Sequence, residues 1–380
     1  MRYDFEKYSM ADAVEYHYGK FPPQSAELDF ERLIRPITSA ANAIARYDQM
    51  LLSLHNSDIL LTSLRGQEAV ISSRMEGTIS TLDEVLQIEA DSEETDSYSS
   101  QARHEAIEVF LYSAALRRAS VSIDKGQPIS EFLIRQAHKH LLSFGRGASK
   151  SPGEYKTQQN YVGDDIKKEI YFVPISPEQL SPSMSRLFDF IDKENLDPLL
   201  ITALSHVEFE ALHPFNDGNG RIGRMLITLI LWQKGLISRP NFYISGYLEE
   251  KKEEYIYRMR AVSESQDWTG WVEFFLVALE RQARRNIETA NSITDLYEEM
   301  KPVFREALNS QWVANAQDFL FKSPIFRNNK FTTKAGIPAQ TAARFTRALV
   351  SRGLLLELEP ASGRRAALYA FEPLMKLVRP

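Results

Sequence analysis

Apolar residues recur at helical spacing along most of this chain, and one long stretch, Gly145–Pro177, breaks that rhythm. A chain patterned this way must bury a series of amphipathic helices against one another and still place one long non-helical excursion. The helical spacing covers Leu28–Leu54 with a break near Pro36, then Leu60–Met75, Leu82–Ile88, Gln101–Ala119 and Ile129–Leu142. It returns at Ser183–Ile191, Pro198–Phe209, Gly220–Trp232, Leu248–Ser263 and Trp268–Met300. Gly77, just past the second segment, suits the left-handed residue that closes a helix. The excursion is rich in Gly, Asn and Pro and holds a β-like piece, Glu169–Pro174. Its length exceeds the ~12–15 residues beyond which a connection usually has a task or no fixed structure. The expected fold class is mainly α.

The last sixty residues read differently. Short helices are expected over Phe319–Phe326 and Thr333–Ile337, a longer one over Pro338–Arg352, then strands Leu354–Glu359 and Arg365–Phe371 around a Pro360–Gly363 turn. Three helices and a hairpin are the order of a winged helix-turn-helix. From Phe321 to Pro380 this part carries a charge of +8 within a chain of net −6, leaving −14 elsewhere. Part of that acid lies in the Ser-rich run Glu89–Ser99, expected to be an exposed loop. There is no cysteine, which excludes thiolate catalysis, disulfides and cysteine-ligated metals and fits a reducing cytoplasm. The longest apolar run, Met225–Trp232, is far short of the ~20 residues that span a bilayer.

The chemistry concentrates in Ala211–Arg224. Gly218 and Gly220 allow close approach of a large anion, and the helix expected to begin here would point its N-terminus at phosphate. Arg221 and Arg224 are three apart and share a helix face. Asp217 is a hard oxygen ligand suited to Mg²⁺, and Asn219 offers an amide N–H to a phosphoryl oxygen. His213 has a side chain whose usual pKa, ~6.5, permits proton abstraction near neutrality. Neither a Walker loop nor a dinucleotide fingerprint is present. The competing reading packs His213 into the core, makes Asp217–Gly218 a turn and leaves the arginines as surface charge.

His213-Pro214-Phe215-Asn216-Asp217-Gly218-Asn219-Gly220-Arg221-Ile222-Gly223-Arg224 resembles the signature of the Fic family in its AMP-transferring branch. The resemblance implies a Fic-type helical core with a β-hairpin flap, and a nucleotidyltransferase moving AMP from ATP onto a Tyr, Thr or Ser hydroxyl of a protein, itself included. It makes His213 the base and Asp217 the Mg²⁺ ligand. Gly218, Asn219 and Gly220 would cradle the phosphates, with Arg221 on the β- and Arg224 on the γ-phosphate. Ser151–Gly163 with Phe172–Pro174 resembles the family's flap, where an extended target segment would add as a strand. Lys156 stands where arginine is usual, keeping the charge without the fork. Adenine is expected between Asn160–Gly163 and a helix bearing Tyr255, Tyr257 and Trp271. The full set of expected ATP contacts is Glu76, Asn160, Val162, Gly163, His213, Gly218, Asn219, Gly220, Arg221, Arg224 and Tyr255.

Ser72-Ser73-Arg74-Met75-Glu76-Gly77 resembles the family's inhibitory motif, with Ser72, Glu76 and Gly77 as its defining residues. Glu76 is expected to pair with Arg224 and misplace the α-phosphate; the competing reading is an exposed helical glutamate beside a capping glycine. The expected layout is an N-terminal helical region over 1–100, a catalytic domain over 101–300 and a winged helix over 315–380. For the last, DNA contact through Gln340, Thr341, Arg344, Arg347, Arg364 and Arg365 competes with protein docking. A homodimer is the base-rate expectation. Two rival functions are a transcriptional regulator using the body as a sensor, and transfer of another nucleotide such as UMP.

Overall fold

The computed structural model describes residues 7–53, 58–92, 103–164, 166–363 and 365–379. From the N-terminus the elements are β1 (Val14–Glu15), α1 (Phe30–Ser53), α2 (Asp58–Met75), α3 (Leu82–Ser92), α4 (His104–Asp124) and α5 (Glu131–Leu141). The irregular stretch yields the hairpin β2 (Val162–Asp164) and β3 (Glu169–Val173), followed by α6 (Pro177–Lys193), α7 (Pro198–Leu212) and α8 (Asn219–Gln233). Then come α9 (Ser245–Glu250), α10 (Lys252–Ser265), α11 (Trp268–Leu308) and α12 (Val313–Lys322). The chain closes with β4 (Ile325–Arg327), α13 (Asn328–Ala335), α14 (Ala339–Ser351), β5 (Leu355–Glu359), β6 (Leu368–Phe371) and α15 (Glu372–Val378).

Four local expectations change. The helix expected over Phe319–Phe326 is the end of α12, and its last two residues belong to strand β4, which pairs with β6. Helix α1 runs through Pro36. The missing N–H strands the carbonyl of Arg32, but that residue is exposed, so water can serve it. Leu248–Ser263 is two helices, α9 and α10, meeting at Lys251. Helix α3 continues to Ser92 over the start of the expected Glu89–Ser99 loop, and the rest of that loop lies outside the described residues.

The contacts form two compact units, Met1–Asp48 with Leu111–Arg284 and Gln49–Phe110 with Arg285–Pro380. This grouping differs from the consecutive stretches 1–100, 101–300 and 315–380. In the second unit α2 packs on α12 and α3 on β4, so N-terminal helices share a core with C-terminal elements.

In the first unit the tightest pairing is α7 with α8. It depends on Gly223: a Cβ there would lie 2.1 Å from Glu210 Oε1 and 3.2 Å from the Phe209 ring. Trp271 of α11 is fully buried and donates its Nε1–H to the Ala203 carbonyl of α7 at 2.8 Å. Full burial of side chains of this size is worth roughly 2–3 kcal/mol each, which makes the α7–α8–α11 packing a rigid platform. A three-stranded sheet in the order β1-β3-β2 lies in this unit, with β1 parallel and β2 antiparallel to β3. The N-terminal segment is fastened to α7 and α10: Tyr16 donates to Glu208 at 2.6 Å, and His17 sits between Glu208 at 2.8 Å and Ser263 at 2.7 Å.

In the second unit an antiparallel sheet runs β4-β6-β5. Helix α2 is closed by Gly77 at φ 80°, with Gly77 N–H bonding the Arg74 carbonyl and Thr78 N–H the Ser73 carbonyl. That pattern is a Schellman motif with Glu76 as its C-cap. Among the described residues no helix is long and apolar enough to cross a membrane.

Candidate active site

Six residues, 213–218, join α7 to α8, and left-handed backbone bounds them on both sides. His213 caps α7 at φ 44°, ψ 60°, its N–H on the Phe209 carbonyl at 3.1 Å. Gly218, at φ 78°, is the N-cap of α8. Here the glycine is required by its backbone conformation: a Cβ would meet nothing closer than 3.4 Å. The first-turn N–H groups of α8 are those a helix leaves without an intrahelical acceptor, and they share the positive end of its dipole.

The loop between these residues is pinned carbonyl by carbonyl. Lys156 Nζ donates to the Leu212 carbonyl at 3.0 Å, and Lys156 N–H to the Pro214 carbonyl at 2.8 Å. Asn160 Nδ2 reaches the carbonyls of His213 and Phe215, both at 3.0 Å. Asn219 accepts from Phe215 N–H at 2.8 Å and donates back to the Phe215 carbonyl at 2.8 Å. These bonds place two residues expected at the nucleotide. Asn160 holds the 213–218 loop with its amide. Asn219, expected on phosphate, has amide atoms engaged with Phe215.

His138, on α5, was missed by sequence reasoning. Its ring stacks on Phe215 at 3.7 Å and 6°. Nε2–H donates to the Asp217 carbonyl at 2.9 Å, and Nδ1 accepts Gly153 N–H at 2.8 Å. One imidazole therefore ties the start of the flap to the loop. Burial, only partly opposed by the Asp217 bond, pushes its pKa down to about 4, so the ring is neutral. A usable signal was present: His138 lies on the apolar stripe of α5 with Ile134, Ala137 and Leu141, where a polar ring needs partners.

The charged groups converge on the same turn. Arg221 and Arg224 are 0% and 2% exposed, which rules out the surface-charge reading. Arg221 Nη2 lies 3.4 Å from Asp217 Oδ1, and His213 and Asp217 are only half-buried. Among the described residues no group of three or more His, Asp or Glu could enclose a metal. A single accessible carboxylate, Asp217, is a hard oxygen donor that fits Mg²⁺ held jointly with phosphate oxygens.

Tyr255, expected beside adenine, lies in a buried aromatic cluster. It is 4% exposed, and its hydroxyl donates to His206 Nε2 at 2.8 Å, while His206 Nδ1–H donates to the Gly223 carbonyl at 3.1 Å. Trp271 belongs to the same buried aromatic cluster, and Tyr257 points elsewhere, 63% exposed. Residues two apart on a helix face different ways, so Tyr255 and Tyr257 could not share one wall. Burial first, and then Arg224, push the His206 pKa down to about 3.

On the flap, Val162 and Gly163 are exposed in β2. A Cβ on Gly163 would lie 2.2 Å from the Glu169 carbonyl oxygen, at the bulge where β2 meets β3. Ser9–Tyr16 already occupies the other side of β3. Ser72, Glu76 and Gly77 belong to the second unit, at the C-terminal end of α2, with Ser72 fully buried.

The C-terminal arginines have partners inside the second unit. Arg327, fully buried, bonds Asp91 at 2.8 Å and Glu359 at 2.7 Å, and Arg365 bonds Asp91 at 2.8 Å. Arg379 bonds Asp83 at 2.7 Å, Arg352 bonds Glu306 at 3.0 Å, and Arg344 donates to the Leu308 carbonyl at 3.1 Å. Gln340 and Arg347 are exposed on α14, Thr341 is half-buried, and Arg364 lies outside the described residues.

Comparison with known proteins gives a consistent set of likenesses. The Fic/DOC family N-terminal model matches residues 34–120, and the Fic/DOC family model matches residues 128–231. Protein adenylyltransferase fic-1 of Caenorhabditis elegans is 32% identical over 133 residues, 34% of this chain and 24% of that protein. Protein adenylyltransferase Fic of Nematostella vectensis is 34% identical over 119 residues, 30% of this chain and 26% of that protein. The matched region is thus about a quarter of these relatives' length. Among solved structures, a Fic family protein from Desulfovibrio desulfuricans G20 superposes with a TM-score of 0.56 at 20% identity, covering 90% of this chain and 95% of that one. Fic-1 of C. elegans, residues 134–508, gives 0.52 at 22% identity over 69% of this chain and 75% of that one.

Proposed function

Because this chain belongs to the Fic/DOC family and is related to Fic adenylyltransferases, we propose that it transfers AMP from ATP to a hydroxyl side chain of a protein, its own included. The observation that carries this reading is the α7–α8 turn. A half-buried histidine and a half-buried carboxylate stand on the turn that opens α8, with Arg221 3.4 Å from that carboxylate and Arg224 buried further along the same helix, on a loop whose carbonyls are held from outside. Two buried cations in the first turns of a helix suit a polyphosphate far better than a neutral ligand.

In this mechanism His213 takes the proton of the incoming Tyr, Thr or Ser hydroxyl. Its oxygen forms a bond to the α-phosphorus, the bond to the β-phosphate oxygen breaks, and pyrophosphate departs with that electron pair. Gly218–Gly220 and the α8 terminus receive the phosphate oxygens, Arg221 the β- and Arg224 the γ-phosphate. Asp217 would hold Mg²⁺, which neutralises charge on the phosphates. The target segment adds as a strand along β2, since β3 lies between β1 and β2. Glu76 is a brake on this reaction. The α12–β6 region, with its three helices and hairpin, is a winged helix-turn-helix that serves protein docking, a reading supported by the internal partners of its arginines.

The test is intact-mass measurement of the Glu76→Gly protein with ATP and Mg²⁺, alongside the same chain with His213→Ala. Glu76→Gly should gain the mass of AMP and His213→Ala should block the gain. No adduct in either would refute transfer; an adduct only with UTP would reassign the nucleotide. An adduct as abundant in the unsubstituted protein would remove the brake.

A further inference from the structure

We infer that Lys156 is a positioning residue for the transfer reaction: acting through Asn160, it fixes the backbone path of Leu212–Phe215 and with it the direction of the His213 imidazole. This deepens the function proposed above and rests on it.

Lys156 grips both neighbours of His213, the Leu212 carbonyl through Nζ at 3.0 Å and the Pro214 carbonyl through its backbone N–H at 2.8 Å. Its second Nζ bond, to Asn160 Oδ1 at 2.8 Å, decides which way the Asn160 amide faces. With the oxygen committed to an ammonium donor, only the nitrogen can turn to the loop, where it meets the carbonyls of His213 and Phe215, each at 3.0 Å. Four consecutive carbonyls therefore end on residues 156 and 160. His213, between them, holds φ 44°, left-handed backbone that disfavours an L-residue and persists where its surroundings impose it. Lys156 itself is 3% exposed, and burial lowers its amine pKa to about 7. A methionine would fill the same space without that desolvation, so filling space does not account for an amine here.

Four variants in the Glu76→Gly background test this: Lys156→Met, Lys156→Arg, Asn160→Leu, and the Lys156→Met/Asn160→Leu double. The readouts are the rate of labelled AMP incorporation at saturating ATP, the KM for ATP, and the His213 ring ¹H–¹⁵N resonance, assigned by its loss in His213→Ala. Lys156→Met should slow transfer about 10²-fold, the cost of a misplacement near 1 Å, with KM changed less than about threefold. Lys156→Arg should recover most of that rate. The double variant should be no slower than the slower single, since both act along one chain of contacts. Losses that multiply in the double, or a folded Lys156→Met protein at the parent rate, would overturn the inference. If no form of the protein transfers AMP, the function fails but the resonance still decides. It should move in Lys156→Met, and an unmoved signal overturns the positioning role. If Lys156→Met does not fold, Asn160→Leu alone must move that resonance for the inference to stand.

Discussion

The rings of His138 and Phe215 lie face to face, 3.7 Å between centroids and 6° from parallel, so that α5 holds the 213–218 loop through one imidazole. The same imidazole bonds Gly153 N–H and the Asp217 carbonyl. His138→Ala should lower the unfolding free energy by about 2–4 kcal/mol, because it opens a cavity and strands two buried backbone groups. Urea denaturation measures this, and an unchanged midpoint would show that the stack is incidental.

Gly163→Ala should damage the flap selectively. The new Cβ would fall 2.2 Å from the Glu169 carbonyl oxygen, so β2 and β3 must separate. Target modification is expected to fall about tenfold or more, with ATP affinity unchanged within about twofold, since residues 218–224 lie outside the hairpin. Equal losses in both would mean that the flap also holds the nucleotide.

Tyr255→Phe removes the hydroxyl that serves His206 Nε2 while keeping the ring in its cluster. The expected cost is about 1–2 kcal/mol in stability with no specific rise in the KM for ATP. A raised KM in a protein of unchanged melting temperature would restore Tyr255 to an adenine pocket.

Two buried bases give the stability curve its shape. Burial, aided by Arg224, holds His206 near 3, against an ordinary 6.5. Between those values the unfolded chain binds a proton that the fold refuses, so stability falls as pH drops from 6.5. Burial holds Lys156 near 7, against 10.5. Over that interval the unfolded chain again carries the extra proton, and stability rises with pH from about 7 upward. Melting temperatures across pH should show His206→Gln flattening the acidic limb and Lys156→Met the alkaline one. Parallel curves for parent and variants would contradict both assignments.

The intact chain should bind DNA weakly. Arg327, Arg365 and Arg379 already face Asp91, Glu359 and Asp83. A gel shift with the full chain at low salt should show no discrete complex. A tight, salt-sensitive one would make the exposed Gln340–Arg347 face a DNA surface.

What the sequence revealed follows the range of the forces involved. Helices with a strong apolar stripe, such as α1, α5 and α6, are legible because 3.6-residue spacing is a local property. The turn between α7 and α8 is legible because its residues are contiguous. Strand β1 was not: two residues long, it is a strand only because β3 lies beside it, more than 150 positions later. The grouping of α2 and α3 with the C-terminal elements is equally non-local. His138 reads as an ordinary polar residue, and the departure from arginine at Lys156 does not say what that side chain holds; their buried partners do. Tyr255 shows the reverse limit: spacing alone does not tell an aromatic packed in the core, as this one is, from one exposed to a ligand.

The acid–base pairing of α3 with the C-terminal elements has a consequence for how the protein can be dissected. A piece cut out near Val313 would leave Asp83, Asp91 and Glu306 behind and carry off Arg327, Arg352, Arg365 and Arg379 without them. Such a fragment would present a sticky cationic surface that the whole molecule keeps neutralised. Its adhesion to any polyanion would report the scissors and not the biology.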